Sequence, residues 1–175
     1  MRSSTIEVRQ QLMRLKREKL KLEAPSSFPH FLGYSNPKYE LEWFHRLIAE
    51  YCQMLLQGKI KNLMVFMPPQ HGKSEIISRN FPAWALGQDP DLKIVGCSYS
   101  SDLAQQFSRS IQRIIDSKEY QAIFPDTFLN GSNIRTDSRG YLRNVDLFEM
   151  VGRRGFYKAV GVGGSLTGTP VDICL

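Results

Sequence analysis

The residues best suited to chemistry lie in one short segment, Met67-Pro68-Pro69-Gln70-His71-Gly72-Lys73-Ser74. A phosphate-binding loop runs glycine, four residues, then Gly-Lys-Ser or Gly-Lys-Thr. Gly72, Lys73 and Ser74 satisfy the second half, and Met67 stands where the first glycine belongs. The apolar run Leu63-Met64-Val65-Phe66-Met67 precedes the loop and reads as a buried strand, while a helical pattern opens near Ser74. A strand, loop and helix in that order aim backbone N–H groups and the positive end of the helix dipole at an anion. In this pattern Lys73 reaches the β- and γ-phosphates of ATP, and the Ser74 hydroxyl ligates Mg²⁺. Gly72 keeps the backbone free to approach phosphate closely. The competing reading is a plain strand-to-helix turn that binds nothing.

The elements around the loop are legible in outline. Residues 5–23 have helical composition, with Val8, Leu12, Leu15 and Leu22 on one stripe, and Ala24-Pro25-Ser26-Ser27 ends the pattern. The expectation is a solvated lead helix that packs this stripe on the body; the alternative is a docking arm for DNA or a partner subunit. Leu41, Phe44, Leu47, Ile48, Tyr51 and Leu55 recur at helical spacing, and Gly58 supplies a stop. Residues 74–86 read as a helix broken by Pro82, residues 93–97 as a strand, and residues 102–117 as a helix capped by Ser100 or Ser101. Residues 130–150 suggest a hairpin or small strands, with alternation at 133–136 and 146–150. A stretch with six glycines, from Gly152 to Gly168, leads into a last apolar run at 171–175. Strands alternating with helices predict an α/β fold with a largely parallel sheet.

Composition sets limits on function. The 175 residues, 42% hydrophobic and 23% charged, suit one globular core. No apolar run approaches the ~20 residues of a membrane-spanning helix, and the charged N-terminus is unlike a signal peptide. Cys52, Cys97 and Cys174 lie far apart in sequence with no paired spacing, which argues against zinc and fits a reducing compartment. His30 and His71 have no acidic partner at a suggestive spacing. The net charge of +6 is uneven: residues 1–24 hold seven basic and three acidic side chains, or +4, which leaves +2 for the rest. A DNA contact is therefore expected to concentrate in that basic helical segment, apart from residues 25–175.

The segment Pro68-Pro69-Gln70-His71-Gly72-Lys73-Ser74-Glu75 resembles the deviant phosphate loop of tailed-phage large terminases. Two further stretches are similar to that family: Ile94-Val95-Gly96-Cys97-Ser98-Tyr99-Ser100 with Leu103-Ala104 and Ser108-Arg109, and Gly152-Arg153-Arg154-Gly155 through Gly168. The resemblance covers about residues 36–175. It implies a three-layer P-loop NTPase of the additional-strand type shared with RecA-like proteins and helicases. It also implies an ATP- and Mg²⁺-dependent motor that packages double-stranded DNA in the bacterial host cytoplasm. The expected partners are a portal protein, a small terminase subunit and further copies in a ring.

The same resemblance implies roles for particular residues. Pro69, Gln70, His71, Gly72, Lys73, Ser74 and Glu75 form the nucleotide site, with Lys73 acting in catalysis. Arg153 or Arg154 is a candidate arginine finger for a neighbouring subunit's γ-phosphate. Tyr39 or His45 is placed where the family binds adenine and is a candidate for stacking on the base, although aromatics at this spacing also suit a core. The family's magnesium-binding and water-activating acids are expected beyond Leu175, with Asp172 structural, so these 175 residues are expected to hydrolyse little ATP. Other readings are a helicase-like ATPase, or a prophage remnant that binds nucleotide without turnover. The implied strand order leaves a vacant position between residues 63–67 and 171–175.

Overall fold

The computed structural model describes residues 2–131 and 140–175. The alternation predicted at 133–136 lies outside the described residues. Six α-helices are present among the described residues: α1 (Arg2–Glu23), α2 (Phe28–Ser35), α3 (Trp43–Leu56), α4 (Phe81–Gln88), α5 (Ser101–Ile115) and α6 (Lys118–Gln121). A π-helix at Glu75–Asn80 runs directly into α4. Four strands, β1 (Lys93–Ser98), β2 (Leu147–Glu149), β3 (Phe156–Gly161) and β4 (Ile173–Cys174), form a mixed sheet in the order β2-β3-β1-β4. β1 pairs in parallel with both β3 and β4, and β2 lies antiparallel to β3. The α/β class expected from the sequence holds.

The core forms where aromatic side chains of α2, α4 and α6 converge. Phe28, Phe31, Phe81, Trp84 and Tyr120 are fully buried, and Phe124 joins them. The polar tips find partners, as buried Tyr and Trp must: Trp84 Nε1 donates to Ala24 O at 3.0 Å, and Tyr120 OH to Ala83 O at 3.0 Å. Burial pushes the Tyr120 and Tyr157 hydroxyls far above their ordinary pKa. Tyr157 stacks on Phe148 between β3 and β2. Arg143 fixes the turn before β2 to α5, donating to Gln112 at 3.1 Å and to the Asn130 carbonyl at 2.8 Å and pairing with Asp116.

Several expectations need correction. Pro82 does not break the helix: its ring would strike the carbonyl four residues back in a regular α-helix, and the chain widens into a π turn ahead of it. The Phe81 N–H reaches back five residues to Ile76 O, and Asn80 Nδ2 donates to Glu75 O at 2.8 Å. The stripe of Val8, Leu12, Leu15 and Leu22 does not pack on the body. These side chains are exposed, and α1 is held through Leu20, which lies against Gly33. Cys97 and Cys174, far apart in sequence, are neighbours in space, because the pairing of β1 with β4 brings their sulfurs to 3.9 Å. His30 does have an acid partner in space, Glu23 at 2.8 Å, seven residues back in the chain.

Residues 63–67 are not a strand of the sheet. Leu63, Val65 and Met67 are half-buried while Met64 and Phe66 are 79% and 87% exposed, the alternation of a strand without its ladder. No backbone hydrogen bond joins residues 60–68 to the sheet among the described residues. A cavity of about 610 Å³ separates Leu63, Met64 and Val65 from Cys174 and Leu175. Two rows of backbone groups thus border a gap that an extended strand would fill, and such an edge recruits whatever strand is available. These 175 residues are expected to self-associate or to capture an added strand in light scattering. A stable monomer whose residues 63–67 pair directly with β4 would contradict this.

Candidate functional site

The helical run at residues 73–88 starts directly after the loop, with the Ile76 N–H donating to Gly72 O at 3.0 Å in its first turn. Lys73 and Ser74 are exposed at that start and line the 610 Å³ cavity together with Lys61, Asn62, Ile77 and Ser78. An ammonium group, a hydroxyl and a helix N-terminus therefore share one opening, a combination suited to a phosphorylated ligand. No Asp or Glu lines this cavity among the described residues.

The loop's shape comes from two left-handed residues, Gln70 (φ 63°) and Gly72 (φ 83°). For Gln70 this conformation carries a cost; at position 72 glycine takes it freely. A second constraint acts on Gly72. A Cβ there would land on the Tyr39 hydroxyl and lie 3.0 Å from His45 Nε2. The wall behind Gly72 thus excludes a side chain, in addition to the close phosphate approach argued from sequence.

His71 folds its ring onto the loop, with Nδ1 donating to Pro69 O at 2.7 Å. Pro69 and Gln70 form the exposed turn ahead of it. Glu75 is not free for a ligand: its carboxylate takes Arg79 at 2.7 Å and Asn80 at 3.1 Å. Arg79 also lies over the Phe107 ring of α5, 5.8 Å from its centroid. The Glu75 to Arg79 spacing of four residues was readable on a helix; the part of Asn80 depends on the π turn and had no sequence signal.

Tyr39 and His45 stand behind the loop, ring centroids 5.1 Å apart. His45 is buried, and its nitrogens meet the Glu42 N–H at 3.1 Å and the His71 carbonyl at 3.0 Å. It has no open face for a base, since Phe44 packs edge-on against it at 4.2 Å. The Tyr39 hydroxyl is buried without a hydrogen-bond partner, and burial, then the Glu75 charge, raises its pKa.

Arg153 and Arg154 are exposed in the turn between β2 and β3, where the Arg154 N–H donates to Asp91 at 2.7 Å. That turn adjoins the start of β1, whereas the cavity meets the end of β4. The two places are separated by about 15 Å of strand, so these arginines do not join Lys73 within one chain. Asp172 accepts the Lys93 N–H at 2.9 Å, a structural role on the sheet edge. No group of three or more His, Cys, Asp or Glu side chains is placed to hold a metal among the described residues. No helix among them is long and apolar enough to cross a membrane.

Comparison with known proteins supplies the family. No curated protein and no solved structure matches the chain. A family model described as terminase large subunit, T4likevirus-type, N-terminal matches residues 64–152, which is 89 of 175 residues and just over half of the chain. The match takes in the loop, its helix, β1, α5 and β2. On that match the chain belongs to the N-terminal family of T4-like terminase large subunits.

Proposed function

We propose that residues 70–74 bind the phosphates of Mg²⁺-ATP in a P-loop NTPase domain of the additional-strand type. In this reading hydrolysis drives double-stranded DNA into a phage capsid. The observation that carries the proposal is the exposure of Lys73 and Ser74 at the mouth of a 610 Å³ cavity, directly after the left-handed Gly72. Lys73 holds the β- and γ-phosphates, the N–H groups of Gly72 and Lys73 add to the field of the helix end, and Ser74 is the residue to hold Mg²⁺. The metal supplies charge neutralisation at the transferred phosphoryl group.

Arg153 and Arg154, at the far end of the sheet from the loop, fit a role only toward a neighbouring copy in a ring. Portal protein and small subunit are the further partners of such a motor, in the cytoplasm of an infected bacterium. The basic face of α1 is the segment of this chain best charged for DNA. A reading as a nucleotide-binding module without turnover draws on one observation, the lack of a carboxylate among the described residues lining the cavity.

Recognition through the outer phosphates gives a direct test. In equilibrium titrations with Mg²⁺ present, ATP and ADP are expected to bind the chain, and AMP to bind at least about tenfold more weakly, the scale of one lost charge-assisted contact. Equal affinity for AMP would place recognition on the base and contradict the loop assignment.

A further inference from the structure

We infer that Tyr39 and His45 brace the candidate phosphate loop from behind, His45 by aiming the Gly72 amide and Tyr39 by walling off the side where a residue-72 side chain would go. The affinity part of this inference rests on the nucleotide reading above; the conformational part does not. His45 is 7% exposed and sits in the first turn of α3. Its Nδ1 faces the Glu42 N–H at 3.1 Å and must accept, so the proton of the neutral ring is on Nε2. Nε2 then donates to the His71 carbonyl at 3.0 Å.

That carbonyl shares a planar trans peptide with the Gly72 N–H, and the two bonds point in opposite directions. Holding the His71 C=O toward α3 therefore turns the Gly72 N–H away from α3, to the other side of the loop. Tyr39 lies tilted against His45 and fills the space behind Gly72, its buried hydroxyl unpartnered. Neither residue faces a ligand through these contacts, so both are positioning residues. They also lie outside residues 64–152, so the family match does not mark them.

Three variants of the 175-residue chain separate the brace from ordinary packing. His45→Phe keeps the ring and loses both hydrogen bonds. His45→Gln keeps a donor and an acceptor near the two ring-nitrogen positions. Tyr39→Ala removes the wall. Amide hydrogen exchange of a peptide spanning residues 67–76 is the first readout, with a peptide from α5 as reference, and Mg²⁺-ADP titration is the second.

His45→Phe is expected to speed loop exchange about five- to tenfold, the scale of one lost buried hydrogen bond, and to weaken Mg²⁺-ADP by a similar factor. Tyr39→Ala shifts both in the same direction, and His45→Gln restores most of the loss. Wild-type loop exchange in His45→Phe, or no recovery in His45→Gln, would overturn the brace. An equal rise in the loop and α5 would make His45 a core residue and overturn it as well. Loop exchange that responds as expected in a chain that binds no Mg²⁺-ADP would keep the brace and defeat the nucleotide reading.

Discussion

ATP mixed with Mg²⁺ and these 175 residues is expected to be bound and to stay ATP. Phosphoryl transfer to water needs a group that orients and deprotonates the attacking water, commonly a carboxylate, and that group is worth roughly 10²- to 10⁴-fold. The acids nearest the loop in sequence and at the sheet edge are both engaged. Glu75 is held by Arg79 and Asn80, and Asp172 by the Lys93 N–H. None of the side chains lining the cavity beside Lys73 and Ser74 is acidic among the described residues. Arg153 and Arg154, on the opposite end of the sheet, add nothing within one chain. A phosphate-release assay should therefore show turnover several orders of magnitude below an ordinary rate of about 1 s⁻¹. Turnover at that ordinary rate would mean that another residue serves as the base and would contradict this expectation.

How much of this was legible depended on whether a signal was local. β1 and α5 follow from local pattern: an apolar run at Lys93–Ser98, then Ser100, whose hydroxyl accepts the Leu103 N–H at 3.3 Å and caps the helix. β3 was missed because Phe156–Gly161 sits among glycines that read as loop. Its strand character comes from six residues paired in parallel with β1, a partner about sixty positions away. α2 was missed for a similar reason. Phe28-Pro29 looks like a break, yet proline is well tolerated in the first turn of a helix, and the burial of Phe28 and Phe31 supports the rest.

The spacing of Gly72, Lys73 and Ser74 marks a candidate loop in the sequence, and Lys73 and Ser74 do line one cavity, whereas what stands behind the loop had much less signal. The sequence permits Tyr39 and His45 to face a base or a core; the contact that ties His45 to the loop, with the His71 carbonyl, lies 26 residues along the chain and has no local signal. Residues 63–67 carry a strand's alternation, but a ladder also needs a neighbour, and the cavity before Cys174 and Leu175 takes that place. The thiol pair at Cys97 and Cys174 is likewise a product of sheet pairing, with 77 residues between them.

Binding of Mg²⁺-ATP to wild-type chain and to Lys73→Ala, measured side by side, reads directly whether the loop holds phosphate. Lys73 is exposed and makes no hydrogen bond or ion pair among the described residues, so the substitution should leave the melting temperature unchanged. Its effect then reads the ligand alone. A lost charge-assisted contact to phosphate is worth about 1.5–3 kcal/mol, which corresponds to roughly 10- to 150-fold in Kd. Lys118→Ala, on α6 and away from the cavity, is the matched loss of one positive charge and should bind as wild type does. A loss of that size is expected for Lys73→Ala, with Lys118→Ala unaffected. Equal affinities in all three proteins, or no binding by the wild type, would contradict it.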